Sequence, residues 1–263
     1  MSSEESLRTT LVALSDTKLL LGYHYGEWTF GPPAIEAGIA ACSMAQEEFG
    51  HTRLLDGILK REFELEIDPL ADDRPPEAMA SIAFLDRPLG SWTGLVAANA
   101  VVDMALSLVL GSFEGGSYAP LARVVPKMLL EERFHAEHAD GWVRLIDSRG
   151  GDAAVRLHDA LGRALAATAA FFGPPDHDAE LVRAGARDAG DDVLRRRLCG
   201  RIASLVVDPA AVGLAADGDG WSPAAEPDWG GWDAHRRRLD PGGPRREILD
   251  ELRGTKNVAF KSA

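Results

Sequence analysis

From Ser6 to about Tyr25 the apolar positions Leu7, Leu11, Leu14, Leu20 and Leu21 recur at helical spacing with no proline among them, which predicts a first long helix. The stretch Gly26-Glu27-Trp28-Thr29-Phe30-Gly31-Pro32-Pro33 breaks the pattern, and proline is a favoured first residue for the helix that follows. That second helix is expected from about Pro33 to Phe63, about 45 Å at the helical rise, a length that belongs to a helical bundle. Residues 64–92 carry Pro69, Pro75, Pro76 and Pro88 among acids and read as a connector crossing from one end of the bundle to the other. A third helix, about Trp92 to Leu110, is apolar all round and therefore expected to be buried on most sides. A fourth is expected from about Tyr118 to Asp147, a fifth over 153–172 and a sixth over 178–206. Strand-like alternation is almost absent. The pattern predicts an all-α fold, a four-helix bundle with additional C-terminal helices, over residues 1–207.

After Asp208 the pattern gives way to Gly, Pro, Asp and Trp, with Trp221, Trp229 and Trp232 close together. Residues 208–263 are expected to form a linker with apolar anchors, a short amphipathic helix over Pro244–Arg253 ended by Gly254, and a tail in the final ten residues, all packed on or extending from the bundle. The run Arg236-Arg237-Arg238 reads as a solvated face or a contact for an acidic partner surface.

Charge narrows the partners. The 263 residues hold 28 Lys+Arg against 41 Asp+Glu, a formal charge of −13, which argues against nucleic acid, whose affinity comes from clustered cations. Two cysteines, Cys42 and Cys199, are too few for a disulfide framework and fit a reducing cytoplasm, where both are expected as small buried fillers. The acidic start is unlike a secretory signal, and no apolar stretch is expected to reach the roughly 18 residues that span a bilayer.

The chemistry lies in an internal echo. Glu47-Glu48-Phe49-Gly50-His51, followed by Asp56-Gly57, recurs 84 residues later as Glu131-Glu132-Arg133-Phe134-His135, followed by Asp140-Gly141. Residues three apart share a helix face, so Glu48 with His51 and Glu132 with His135 each offer a carboxylate and an imidazole to one point. Two such helices facing each other supply four ligands to a pair of metal ions. Carboxylate with imidazole suits non-haem iron, with manganese as the alternative, better than structural zinc. Asp103, the only ionisable residue between Arg87 and Glu114, is the third carboxylate, and burial demands a partner for it. Glu47 and Glu131 are placed either to orient the imidazoles or to face solvent.

A complete dinuclear site also needs a carboxylate from the first helix, at a depth near residues 10–18. The ionisable groups there are Asp16 and Lys18, and a protonated lysine does not ligate. A second reading stands beside the metal one: an internal ion cluster in which Lys18 neutralises Glu48, Asp103 or Glu132. His24, His138, His158, His177 and His235 read as surface or capping groups, with His138 one turn beyond His135. Tyr23 and Tyr25 read as core packing, and Trp28 as closing the end of the bundle.

At these residues the chain resembles a known family. Leu14-Ser15-Asp16-Thr17, Gly26-Glu27-Trp28, Pro33 and the helix carrying Gly50 and Arg53 are similar to the ferritin-like subunits of bacterial phenylacetyl-CoA epoxidase, a multicomponent monooxygenase. The Gly-Glu-Trp turn and Asp16 resemble its structural subunit, whereas the two Glu-x-x-His motifs resemble its catalytic di-iron subunit. The resemblance implies a ferritin-like bundle with Glu48, His51, Asp103, Glu132 and His135 as metal ligands, and with Lys18 where the catalytic subunit has its first Glu. For a catalytic member it implies two iron ions, bridging catalytic carboxylates at Glu48 and Glu132, and oxidation of an aromatic acyl-CoA by O2. It also implies a reductase partner, and a homodimer or an assembly with another ferritin-like subunit. For a structural member it implies a metal-free scaffold.

Overall fold

In the computed structural model, which describes residues 1–66, 74–175 and 177–254, helix α1 (Ser3–Glu27) begins where Ser2 Oγ accepts the Glu5 amide at 3.2 Å. Glu4 and Glu5 place negative charge against the positive end of that helix. From Ser6 to Leu21 nearly every α1 side chain is buried, polar Asp16, Thr17 and Lys18 included. Helix α2 (Ile35–Phe63) packs along α1. The turn between them is tight at Gly38, where a Cβ would stand 2.4 Å from the Thr29 carbonyl oxygen. The proline-rich connector is described only in part, because residues 67–73, Pro69 among them, lie outside the described residues.

Helix α3 (Trp92–Gly111) is capped by Ser91, whose Oγ accepts the Gly94 amide, and widens into a π-helical turn over Ala98–Asp103. Such turns inside an α-helix often mark functional positions, and this one ends on Asp103. The expectation that no apolar stretch is long enough to cross a membrane fails for α3 by length and composition. Most of this helix is buried inside the bundle, and a helix surrounded by protein is apolar all round for the same reason that a spanning helix is.

Helix α4 (Val125–Arg149) is shorter than its sequence pattern suggests. The residues expected to begin it form a separate turn, Ala119–Ala122, and Pro126 sits in the first turn of α4 proper, where it is tolerated. A left-handed corner at Gly150 and Gly151 leads into α5 (Gly151–Phe172), which packs on α3. The expected sixth helix is likewise divided into a turn, Ala179–Arg183, and α6 (Asp191–Leu205). The break is imposed by Gly185 at φ +69° and by Arg187, buried between Asp178, Asp191 and Ser112.

The segment after Asp208, expected as a linker, contains a hairpin of β1 (Leu214–Asp217) and β2 (Gly220–Pro223), paired antiparallel with Leu214 opposite Pro223. Strands of four residues are too short to show alternation in the sequence. The short helix α7 (Arg246–Leu252) buries Ile248 and Leu249, while residues 255–263 of the expected tail lie outside the described residues.

The arginine run is not a solvated face. Arg237 and Arg238 are each 2% exposed. Arg237 pairs with Asp191 and donates to the Phe171 carbonyl at 2.7 Å and to Thr10 Oγ1 at 3.2 Å. Arg238 donates to Asp86 at 2.5 Å and to the Ser81 carbonyl at 3.1 Å. Arg236, half-buried, donates to the Met79 carbonyl. These three side chains clasp the C-terminal segment to α1, α5, α6 and the connector. Ion pairs and carbonyl acceptors are what make their burial tolerable.

Candidate functional site

Four helices converge on one buried cluster. Glu48 comes from the middle of α2, Glu132 and His135 from α4, Asp103 from the π turn of α3 and Lys18 from α1, and none is more than 3% exposed. Single donor atoms of Glu48, Asp103, Glu132 and His135 all lie within 4.8 Å of one another, so this set can hold a metal ion by geometry. His51 stands at the edge of the group, with Nδ1 3.2 Å from Glu132 Oε1 and 3.9 Å from Glu48 Oε1. The five residues expected as ligands are thus brought together.

Lys18 occupies the middle. Its ammonium donates to both oxygens of Glu48 at 3.0 Å and to Glu132 Oε1 at 2.5 Å, and lies 3.8 Å from Asp103 Oδ1. Burial opposes a charged lysine, but Glu132, Glu48 and Asp103 outweigh it and hold the Lys18 pKa well above the ordinary value. Burial and the like charges of Asp103 and Glu132 push the Glu48 carboxyl up, even with Lys18 beside it. Glu132 moves the other way: burial raises it, and Lys18, with His51 and His135, brings it well below the usual range. Ser107 Oγ adds a hydrogen bond to Glu132 Oε2 at 2.7 Å.

The outer glutamates of the two motifs reach across the bundle. Glu47 of α2 accepts from His135 Nε2 at 2.7 Å, and Glu131 of α4 accepts from His51 Nε2 at 2.7 Å. Each helix therefore orients the other's imidazole, and the crossed pairing shows that α2 and α4 run antiparallel. His135 Nδ1 lies 2.9 Å from Asp103 Oδ2, so a carboxylate faces each ring nitrogen. Burial disfavours its charge, yet Asp103, Glu132 and Glu48 raise its pKa to about 10. An imidazolium that donates at both nitrogens has no lone pair for a metal.

Tyr25, expected as core packing, has a chemical role as well. It is fully buried and donates to Asp103 Oδ2 at 2.7 Å, and burial followed by the Asp103 charge raises its pKa. Lys18 and Tyr25 lie two turns apart on one face of α1, and that spacing is the signal that could have found it. Behind Asp103, Asn99 donates to Oδ2 at 3.4 Å, and His138 Nδ1 lies 3.1 Å from Asn99 Oδ1. Trp28 packs on Trp92, which packs on Trp142, closing this end of the bundle.

Other expectations fall away from the cluster. Asp16 is held by Arg74 at 2.6 Å and by the Ala80 amide at 2.8 Å, so it supplies no ligand. Asp56 accepts from Ser15 at 2.5 Å, and its echo Asp140 pairs with Arg201. His24, expected near the surface, is fully buried with Nε2 2.8 Å from the Leu85 carbonyl, because the connector folds over the end of α1. Cys199 is buried as expected, whereas Cys42 is only half-buried, on the outer side of α2.

The donor set does not fit two metal ions while Lys18 is charged. Its ammonium fills the space between Glu48 and Glu132, two of the carboxylates expected to hold them, and no carboxylate of α1 reaches the cluster. A comparison with curated proteins found no match. A comparison with protein families found one across residues 1–226, most of the chain. On that match, and with a helical bundle carrying the Glu-x-x-His echo, the chain belongs to the family of phenylacetic acid catabolic proteins.

Proposed function

We propose that this chain is a metal-free structural subunit of a multicomponent oxygenase of phenylacetate breakdown, built on the ferritin-like bundle. The observation that carries the reading is Lys18 Nζ, seated among Glu48, Glu132 and Asp103 at 3.0, 2.5 and 3.8 Å. A fixed internal cation does the neutralising that a metal does elsewhere, so the acids stay compatible with burial. Such a bundle keeps the shape of a catalytic relative without a centre for activating O2. Its role is to hold that relative, a second ferritin-like chain, in a cytoplasmic assembly supplied with electrons by a reductase.

A second reading is favoured by His51 Nδ1 and Asp103 Oδ1, which are buried without a hydrogen bond. In it Glu48, His51, Asp103, Glu132 and His135 would hold two iron or manganese ions, with Glu48 and Glu132 as the catalytic carboxylates. A metal bound there would supply the redox chemistry for inserting oxygen into an aromatic acyl-CoA. Elemental analysis after anaerobic loading with ferrous or manganous ion and desalting separates the two. The structural reading expects well under one metal per chain, and one or two tightly held ions per chain overturn it.

A further inference from the structure

Arg236 is the one arginine of the 236–238 run that gains no carboxylate among the described residues. Its guanidinium donates to the carbonyls of Met79 and Pro241, each at 3.1 Å, and to that of Gly242. The acids around it are engaged elsewhere: Asp86 with Arg238, Asp233 with the amides of His235 and Arg236, and Asp240 with the Gly242 amide. Burial, followed by the like charge of Arg238, disfavours its charge and lowers its pKa. A half-buried cation fixed by neutral acceptors keeps a positive charge that no counter-ion cancels. That charge borders a cavity of about 400 Å³, to which α1 contributes Arg8, the connector Arg74 and the C-terminal segment His235 and Arg236. The Arg8 guanidinium has no hydrogen bond or ion pair among the described residues. Arg74, by contrast, donates to both oxygens of Asp16, at 2.6 and 3.2 Å. Glu66, the one carboxylate among the described lining residues, takes Lys60 at 2.5 Å. Two guanidinium charges on separate walls, those of Arg8 and Arg236, are thus left without a counter-ion.

We propose that this cavity binds a phosphate monoester, with the dianionic head between Arg8 and Arg236 and a small apolar body against Val12, Leu65 and Ala80, which line the same space. Two separated charges match a dianion, whereas a carboxylate carries one charge and fits a single guanidinium fork. Tetrahedral phosphate oxygens accept from several directions at once, as donors on α1 and on the C-terminal segment require. The bound head joins α1 to the segment that Arg237 and Arg238 already clasp to the bundle. Arg8 stands ten residues before Lys18, about 15 Å along α1, so the site is separate from the buried centre. It does not depend on whether that centre holds metal.

The test is calorimetric titration of the purified full chain with n-butyl phosphate at about pH 8, where such an ester is a dianion. The expected result is saturable binding at one site per chain, weakened by added salt and accompanied by a rise in thermal midpoint. Butyrate, with a similar apolar body and a single charge, should bind at least tenfold more weakly. Arg8→Gln removes a guanidinium that bonds to nothing, and Ala78→Glu adds an acid at an exposed position of the lining, so both variants should fold as the parent does. Each should weaken binding of butyl phosphate at least fivefold. Arg197→Gln, at an exposed arginine of α6, should leave it unchanged. Absence of saturable binding overturns the proposal, as does binding indifferent to Arg8→Gln and Ala78→Glu. Butyrate bound as tightly as butyl phosphate, or an equal loss in Arg197→Gln, overturns it too, since either would mark a diffuse attraction of anions rather than a site for a dianion.

Discussion

Replacing Lys18 by methionine removes one charge from the centre and little volume, so no large cavity accompanies it. The loss strands Glu48, Asp103 and Glu132, which are 0%, 1% and 3% exposed and draw their short cationic contacts from Lys18 and the imidazoles. Breaking a buried ion pair from one side costs about 3–5 kcal/mol, and protonation of Glu48, whose carboxyl already tends upward, limits the loss to the lower part of that range. For a domain of this size, about 3 kcal/mol lowers the melting temperature by roughly 6–12 °C. Urea and thermal unfolding of both proteins, followed by circular dichroism near neutral pH with chelator present, measure the difference. Lys60→Met is the control: Lys60 pairs with Glu66 at 2.5 Å, but both side chains are mostly exposed, so the change should stay within about 1 kcal/mol. A Lys18→Met loss no larger than that of Lys60→Met would refute the idea that Lys18 neutralises the centre.

Two further predictions concern the rest of the molecule. Arg237→Met should destabilise the chain by about 3–5 kcal/mol, read as a lower urea midpoint, because it leaves buried Asp191 with only Arg187 and frees the Phe171 carbonyl; an unchanged midpoint would show that the C-terminal clasp is dispensable. His177 packs edge-on to Trp232, and burial, with Arg237 nearby, lowers its pKa to about 4. The unfolded chain takes up this proton near pH 6.5 and the folded one only near pH 4, so the stability His177 contributes is present above pH 6.5 and lost as the pH falls through that window. His177→Gln should therefore reduce the drop in urea midpoint between about pH 7 and pH 5, and an identical drop in both proteins would contradict the assignment.

The helices were legible because amphipathic spacing, turn residues and caps act over a few residues, and the core bundle needs little else. The Glu-x-x-His echo was legible for the same reason: three residues always make about one helical turn, so each motif had to present its pair on one face. What lay between helices was not local. Neither the reach of Glu47 to His135 nor that of Glu131 to His51 follows from i+3 spacing, because each depends on how α2 and α4 pack.

The same holds for charge. Composition counts Arg236, Arg237 and Arg238 as a basic run, and a run of charges with no known partners belongs in water. Only the folded chain brings Asp191, Asp86 and the carbonyls of Phe171 and Ser81 within reach and turns two of those arginines into core residues. Lys18 is the clearest case. The sequence determined that a lysine stands in the first helix where a metal-binding bundle would need an acid, and that three inward acids require a cation. The tertiary structure decided which cation is at hand, since only packing sets the distance between an ammonium on α1 and carboxylates on α2, α3 and α4, and Coulomb energy depends on that distance.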